Sequence, residues 1–207
     1  MRRRNIRTGL LIAFEGIDGT GKTTQLPMLA DWLRAQGEDV VVTREPTDSD
    51  YGRRIRELYV NRGACTPEEE LELFIQDRKQ HVKEVIRPAL NAGRIVLTDR
   101  YYYSTAAYQG ANGLDAKAIL KRNRFAPQPD LVILLTMPPE LSAERIRSRG
   151  GQLNAFEQIE ALQRVATIFA SFADPWIRRI DAAQPVSVVH EQIQRAWNCL
   201  SESEPCL

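Results

Sequence analysis

Eight consecutive residues have types and spacing suited to chemistry on phosphate. Gly16-Ile17-Asp18-Gly19-Thr20-Gly21-Lys22-Thr23 follows the pattern G-x-x-x-x-G-K-[ST], the phosphate-binding P-loop. Gly16, Gly19 and Gly21 permit backbone angles that turn successive N–H groups inward on phosphate oxygens. Lys22 adds a point charge for β and γ phosphates, and the Thr23 hydroxyl is placed to ligate Mg²⁺. A helix starting near Lys22 aims its positive N-terminal end at the same anion.

Such a loop works only between a strand and a helix. Leu10-Leu11-Ile12-Ala13-Phe14 supplies a short apolar run suited to a buried parallel strand. Residues 23–35 supply the helix, with Leu26, Leu29, Ala30 and Leu33 at helical spacing. Further strands are predicted at 39–43, 94–98, 131–135 and 177–180. The second runs into Arg44-Glu45-Pro46 and the third into Asp99-Arg100-Tyr101. Helices are predicted at 52–60, from Pro67 toward Leu90 with Thr66 as N-cap and Gly93 as stop, and at 115–124, 140–149, 155–172 and 186–200. Residues 102–110 form a helix or turn lining the cleft. Strands alternating with helices predict a doubly wound, three-layer α/β fold around a five-stranded, mostly parallel sheet.

Composition sets the outer bounds. The chain has 207 residues, 43% apolar and 27% charged, with a net charge of +1. One P-loop domain over 1–207 accommodates that length. The balanced charge gives no footing for a nucleic-acid or membrane-surface partner. Cys65, Cys199 and Cys206 lack metal-ligand spacing and read as three reduced thiols of a cytoplasmic protein. Arg2-Arg3-Arg4 precede an apolar run too short for a signal peptide, so 1–8 reads as a loose basic tail and 201–207 as a second tail. No stretch approaches the roughly 20 apolar residues of a membrane span. His81 and His190 fall in no motif for a base or a metal and read as structural.

Three further stretches join the P-loop string Phe14–Gln25. They are Thr43-Arg44-Glu45-Pro46; Leu73-Phe74-Ile75-Gln76-Asp77-Arg78-Lys79-Gln80-His81; and Asp99-Arg100-Tyr101-Tyr102-Tyr103-Ser104-Thr105-Ala106-Ala107-Tyr108-Gln109-Gly110. Together they resemble the thymidylate kinases, over roughly residues 9–198. The resemblance implies ATP + dTMP giving ADP + dTDP, with Mg²⁺, in a homodimer. It implies ATP phosphates on Gly16–Thr24, with Lys22 and Asp18 catalytic, Thr23 on the metal, and Asp99 either ordering the metal through water or orienting Arg100. Phe74 would stack on thymine and Arg78, one turn later, would bond a base oxygen. Ser104, Thr105 and Gln109 would lie at the acceptor, and Tyr108 would pack on the sugar and disfavour a 2′-hydroxyl. Arg100 would hold the acceptor phosphate, helped by Arg44 or Arg56, with Glu45 ordering the network. Of Tyr101, Tyr102 and Tyr103, at least one must be structural.

One segment departs from the family pattern. Residues 145–157 occupy the place of the lid over ATP, and Asn154-Ala155 stand where an Asp-Arg pair is common. The P-loop also has Gly19-Thr20 where some members carry an arginine. The mobile cation is then expected from Arg149, with Arg145 second. Two other readings stay open on sequence: a kinase of another (deoxy)nucleoside monophosphate, and a non-catalytic P-loop binding or regulatory protein with a weakened lid.

Overall fold

β1 (Leu10–Glu15) is the axis of the molecule. In the computed structural model, which describes residues 9–60, 65–148 and 155–202, it lies between β3 (Ile95–Asp99) and β4 (Leu131–Thr136). β2 (Val40–Arg44) and β5 (Ile177–Asp181) form the edges, in the order β2-β3-β1-β4-β5. Every pairing is parallel, with Ala13 opposite Thr98 and Val132, so the expectation of a mostly parallel sheet becomes an all-parallel one. The runs of Val, Ile and Leu have no polar face because both faces are covered.

Side chains alternate across the sheet and divide the core in two. Leu11, Ala13, Val96 and Val132 point to the face covered by α3 (Pro67–His81), α5 (Tyr102–Ala111) and α8 (Ala155–Ser171). Ile12, Phe14, Leu97 and Ile133 point to the face covered by α1 (Lys22–Ala35) and α9 (Val186–Glu202). Each such buried Val, Leu, Ile or Phe side chain contributes about 1.5–3 kcal/mol. The helices following β1 and β3 therefore leave on opposite faces. The crevice between those two strand ends is the point where open α/β sheets bind ligands.

α2 (Asp50–Val60) follows β2, and α6 (Ala116–Arg122) and α7 (Pro139–Ser148) flank β4. The capping box of α3 forms as its sequence predicts: Glu69 N–H donates to Thr66 Oγ1 at 3.2 Å, and Thr66 N–H donates to Glu69 Oε2 at 2.8 Å. The helix does not run unbroken toward Leu90. It widens into a π turn over Val82–Ile86 and resumes as α4 (Arg87–Asn91). Pro88 has no N–H to return to the preceding turn, which suits a widened ladder there. Cys65 is a free thiol and Cys199 is disulfide-bonded, which corrects the expectation of three reduced thiols. Among the described residues, no helix is long and apolar enough to cross a membrane. The 1–8 tail and residues 149–154 of the proposed lid lie outside the described residues, as do 203–207 of the second tail.

Candidate active site

The P-loop joins β1 to α1. Gly16 has φ 132°, and a Cβ there would lie 2.3 Å from the Leu135 carbonyl oxygen, so only glycine fits. Gly21 precedes α1 in a left-handed conformation, and no side chain caps that helix. Its leading N–H groups are left for an anion. Thr23 and Thr24 are exposed at this end. Lys22 folds over its own loop and donates to the carbonyls of Gly16 and Ile17, both at 2.9 Å. Burial, then the nearby Arg100 charge, pushes its ammonium down to about 8, against the pull of Asp18, Asp99 and Glu15. Thr20 braces the loop by donating Oγ1–H to the Ile17 carbonyl at 2.9 Å.

Facing the loop, the end of β3 presents Arg100 in a left-handed backbone conformation (φ 69°), sparsely populated for a residue with a side chain. Three neighbours fix its guanidinium. It pairs with Asp18, donates to Ser104 Oγ at 3.0 Å, and lies 5.0 Å over the Tyr108 ring. The Tyr108 hydroxyl donates to Asp18 at 3.1 Å. Desolvation works to raise the Asp18 carboxyl, but the charges of Arg100 and Lys22 outweigh it and hold that carboxyl below its ordinary value.

Beneath this pair lies Glu15, a fully buried carboxylate to which no sequence motif assigned a role. It accepts from the N–H groups of Tyr101 and Ser104 at 3.0 and 3.1 Å and from the Ser104 hydroxyl. Burial pushes its carboxyl up to about 7, opposed first by Ser104 and then by Arg100 and Lys22. Glu15 thereby ties the end of β1 to the start of α5, and through Ser104 it braces Arg100.

A cavity of about 460 Å³ opens beside Arg100 and Asp18. Phe74 and Arg78 from α3 form one wall, and Ser104, Thr105, Tyr108 and Gln109 from α5 the other. Glu45 closes the floor, while Tyr59 and Cys65 stand at the side. Nine of the expected acceptor and catalytic residues (Asp18, Glu45, Phe74, Arg78, Arg100, Ser104, Thr105, Tyr108 and Gln109) thus share one chamber. Arg44 and Arg56 do not line it: both pair with Asp48, at 2.8 and 3.2 Å, and Arg56 donates to the Thr47 carbonyl at 2.6 Å. Arg78 is 1% exposed. It donates from Nε to Glu45 at 2.9 Å, from Nη2 to Glu45 and Thr105 at 2.5 and 2.9 Å, and from Nη1 to Asn123 at 2.6 Å. Of the three tyrosines, Tyr101 lines the cavity below Arg78, whereas the Tyr103 hydroxyl is held by Asp174 and Trp176. Gln109 is buried with an unpartnered Oε1, an acceptor for a ring N–H.

A second cavity, of about 560 Å³, has Thr23 and Asp99 on its wall. One Asp99 carboxylate oxygen is buried with no hydrogen-bond partner. An orphaned hard oxygen near a threonine hydroxyl and a phosphate-binding loop fits Mg²⁺, which is typically held by one or two protein ligands plus phosphates and water. Among the described residues, no larger group of His, Cys, Asp or Glu gathers for a metal. Arg145 on α7 donates to the Ala182 carbonyl at 3.1 Å, just after β5. Arg149 lies outside the described residues.

Sequence reasoning missed the residues that hold this chamber's walls. His81 joins Glu45 to Thr43, Asn123 receives Arg78, and Asp77 accepts from Thr47 and Ser49. The string Asp77-Arg78-Lys79-Gln80-His81 carried a signal for two of them, whereas Asn123 carried none.

A parallel sheet with a glycine loop at its switch point, and an arginine-lined chamber against that loop, define a P-loop kinase. The sequence model of the thymidylate kinase family matches residues 14–193. The chain is 54% identical to a thymidylate kinase of Desulfotalea psychrophila, over 89% of this chain and 92% of that one. It is 47% identical to a thymidylate kinase of Xanthomonas euvesicatoria, over 89% and 81%, and 44% identical to a probable thymidylate kinase of Archaeoglobus fulgidus, over 90% and 93%. The chain belongs to the thymidylate kinase family. These likenesses favour an active kinase over the non-catalytic reading that Asn154-Ala155 left open.

Proposed function

We propose that this enzyme transfers the γ-phosphoryl group of ATP to dTMP, giving dTDP and ADP. The observation that carries the reading is the chamber itself, in which an aromatic and arginine-lined base pocket abuts Arg100 and Asp18 at the mouth of the P-loop. The acceptor phosphate is already anionic at neutral pH, so the chain needs no strong base. Its work is positioning and charge neutralisation. Lys22 and the loop N–H groups bind the donor phosphates. Arg100 takes the acceptor phosphate, and Asp18 stands between the two. Phe74 stacks on the base, Arg78 donates to one of its oxygens, and Tyr108 packs on the sugar. Thr23 and Asp99 would hold Mg²⁺, which supplies charge neutralisation across the β and γ phosphates when bound. Arg145, with Arg149 beyond it, is the source of lid charge. A homodimer and a cytoplasmic setting accompany this reading by family resemblance.

ADP release is to be measured with ATP·Mg²⁺ against dTMP, dUMP, UMP, dCMP, AMP, GMP and thymidine. Strong preference for dTMP is expected, with loss of turnover in excess EDTA. Preference for a purine monophosphate would overturn the base-site assignment, and absence of turnover with every acceptor would overturn the kinase.

A further inference from the structure

Arg78 has five N–H hydrogens in a rigid planar fork. Four are committed to protein partners: two to Glu45, one to Thr105 and one to Asn123. One Nη1 hydrogen remains for a ligand. Its direction therefore depends on how firmly Glu45 is held. Glu45 lies at the end of edge strand β2, and its other oxygen, Oε1, is 2.9 Å from Nδ1 of His81. An ionised carboxylate can only accept, so Nδ1 carries the proton. The far ring nitrogen, Nε2, lies 2.7 Å from the Thr43 hydroxyl oxygen. Both nitrogens are used, and the ring is 3% exposed. The ring thus packs against a buried carboxylate–guanidinium pair, Glu45 with Arg78.

We propose that His81 is a positioning residue for acceptor choice, acting through Glu45 to fix the free Nη1 hydrogen of Arg78. The inference rests on the acceptor-site reading above. A fixed donor favours a pyrimidine with a carbonyl at ring position 4, as in thymine, and opposes one with an amino group there, as in cytosine. The chain Thr43–His81–Glu45–Arg78 spans β2 and α3, so it also locks the edge strand to the helix that forms the base wall.

Three variants test this in the full-length enzyme, each checked for folding by circular dichroism. His81→Leu removes both bonds. It should raise KM for dTMP on the order of tenfold and lower the dTMP-over-dCMP preference by a similar factor. KM for ATP should stay unchanged and kcat should change by less than about threefold. Thr43→Val, a near-isosteric change, should shift the same two quantities by about threefold. His81→Asn retains a donor where Nδ1 stood and should restore most of the preference. Folded His81→Leu or Thr43→Val variants that keep the wild-type preference, or that lose activity equally toward all acceptors, would overturn the proposal, as would a His81→Asn variant no better than His81→Leu. If His81→Leu does not fold, Thr43→Val decides between the same two outcomes. Failure of the unmodified enzyme to use dTMP would overturn the underlying reading, and it is seen before any variant is compared.

Discussion

Replacing Glu15 by glutamine should change how stability depends on pH, and the change follows from burial. The side chain is 0% exposed, and its carboxyl titrates near 7 in the native state against 4.5 when free in the unfolded chain. Between those values the native state binds more proton than the unfolded state, so stability falls as pH rises through that window. A pH unit is worth about 1.4 kcal/mol, so the full cost above pH 7 is about 3 kcal/mol, of which about 2.5 kcal/mol develops between pH 5 and pH 8. Glutamine has no charge to bury. Its carbonyl still accepts from Tyr101 and Ser104, and any bond lost toward the Ser104 hydroxyl is a constant offset at every pH. Urea unfolding of both proteins at pH 5 and pH 8 is the assay. The wild type should lose about 2.5 kcal/mol more than Glu15→Gln over that interval. Parallel losses, within about 0.5 kcal/mol, would refute the account of Glu15 as a carboxylate kept close to neutrality by burial.

Three further outcomes are expected. Lys22 titrates near 8 because it is buried, so bringing triphosphate beside it should drive proton uptake at pH 8.5; calorimetry in buffers of different ionisation enthalpy reads this directly, and buffer-independent heats would refute it. Gly16→Ala forces a Cβ to within 2.3 Å of the Leu135 carbonyl at φ 132° and should cost about 3 kcal/mol in urea unfolding, with loss of ATP binding; a near-wild-type protein would show that the loop tolerates another path. Asp99→Asn should raise the Mg²⁺ concentration needed for half-maximal turnover about tenfold or more, whereas an unchanged Mg²⁺ titration would remove Asp99 from the metal site.

The strands and the P-loop were legible because their signals are local. Leu10–Phe14 is apolar on both faces, and the glycines of 16–21 sit where their conformations are needed. The chamber's lining was legible too, as α3 presents Phe74 and Arg78 one turn apart and α5 presents Ser104, Tyr108 and their neighbours. What stayed hidden was tertiary. Glu45 meets Arg78 across 33 positions, Asn123 meets it across 45, and Glu15 meets Ser104 across 89. No period or spacing reports such pairs. The pairing of Arg44 and Arg56 with Asp48 was hidden in the same way, and both stand outside the chamber.

The two arginines of the chamber are prepared for different tasks, and their exposure separates them. Arg78 is sealed, with its partners Glu45 and Asn123 also buried, so its fork moves only if several bonds break together. That suits recognition of a neutral base, where a rigid donor discriminates between a carbonyl and an amine. Arg100 is paired instead with Asp18, whose side chain is 55% exposed. An acceptor phosphate could displace that carboxylate from Nη2 without unsealing the core, while Ser104, itself held by Glu15, keeps its bond to Nη1. On the proposed reading, that exchange conserves charge pairing on Arg100 and releases the Asp18 carboxylate. In the proposed roles, base selection and phosphate capture would thus be mechanically separate although their residues share one cavity. Weakening the His81–Glu45 chain should therefore alter which monophosphate is chosen far more than how fast a bound one is phosphorylated.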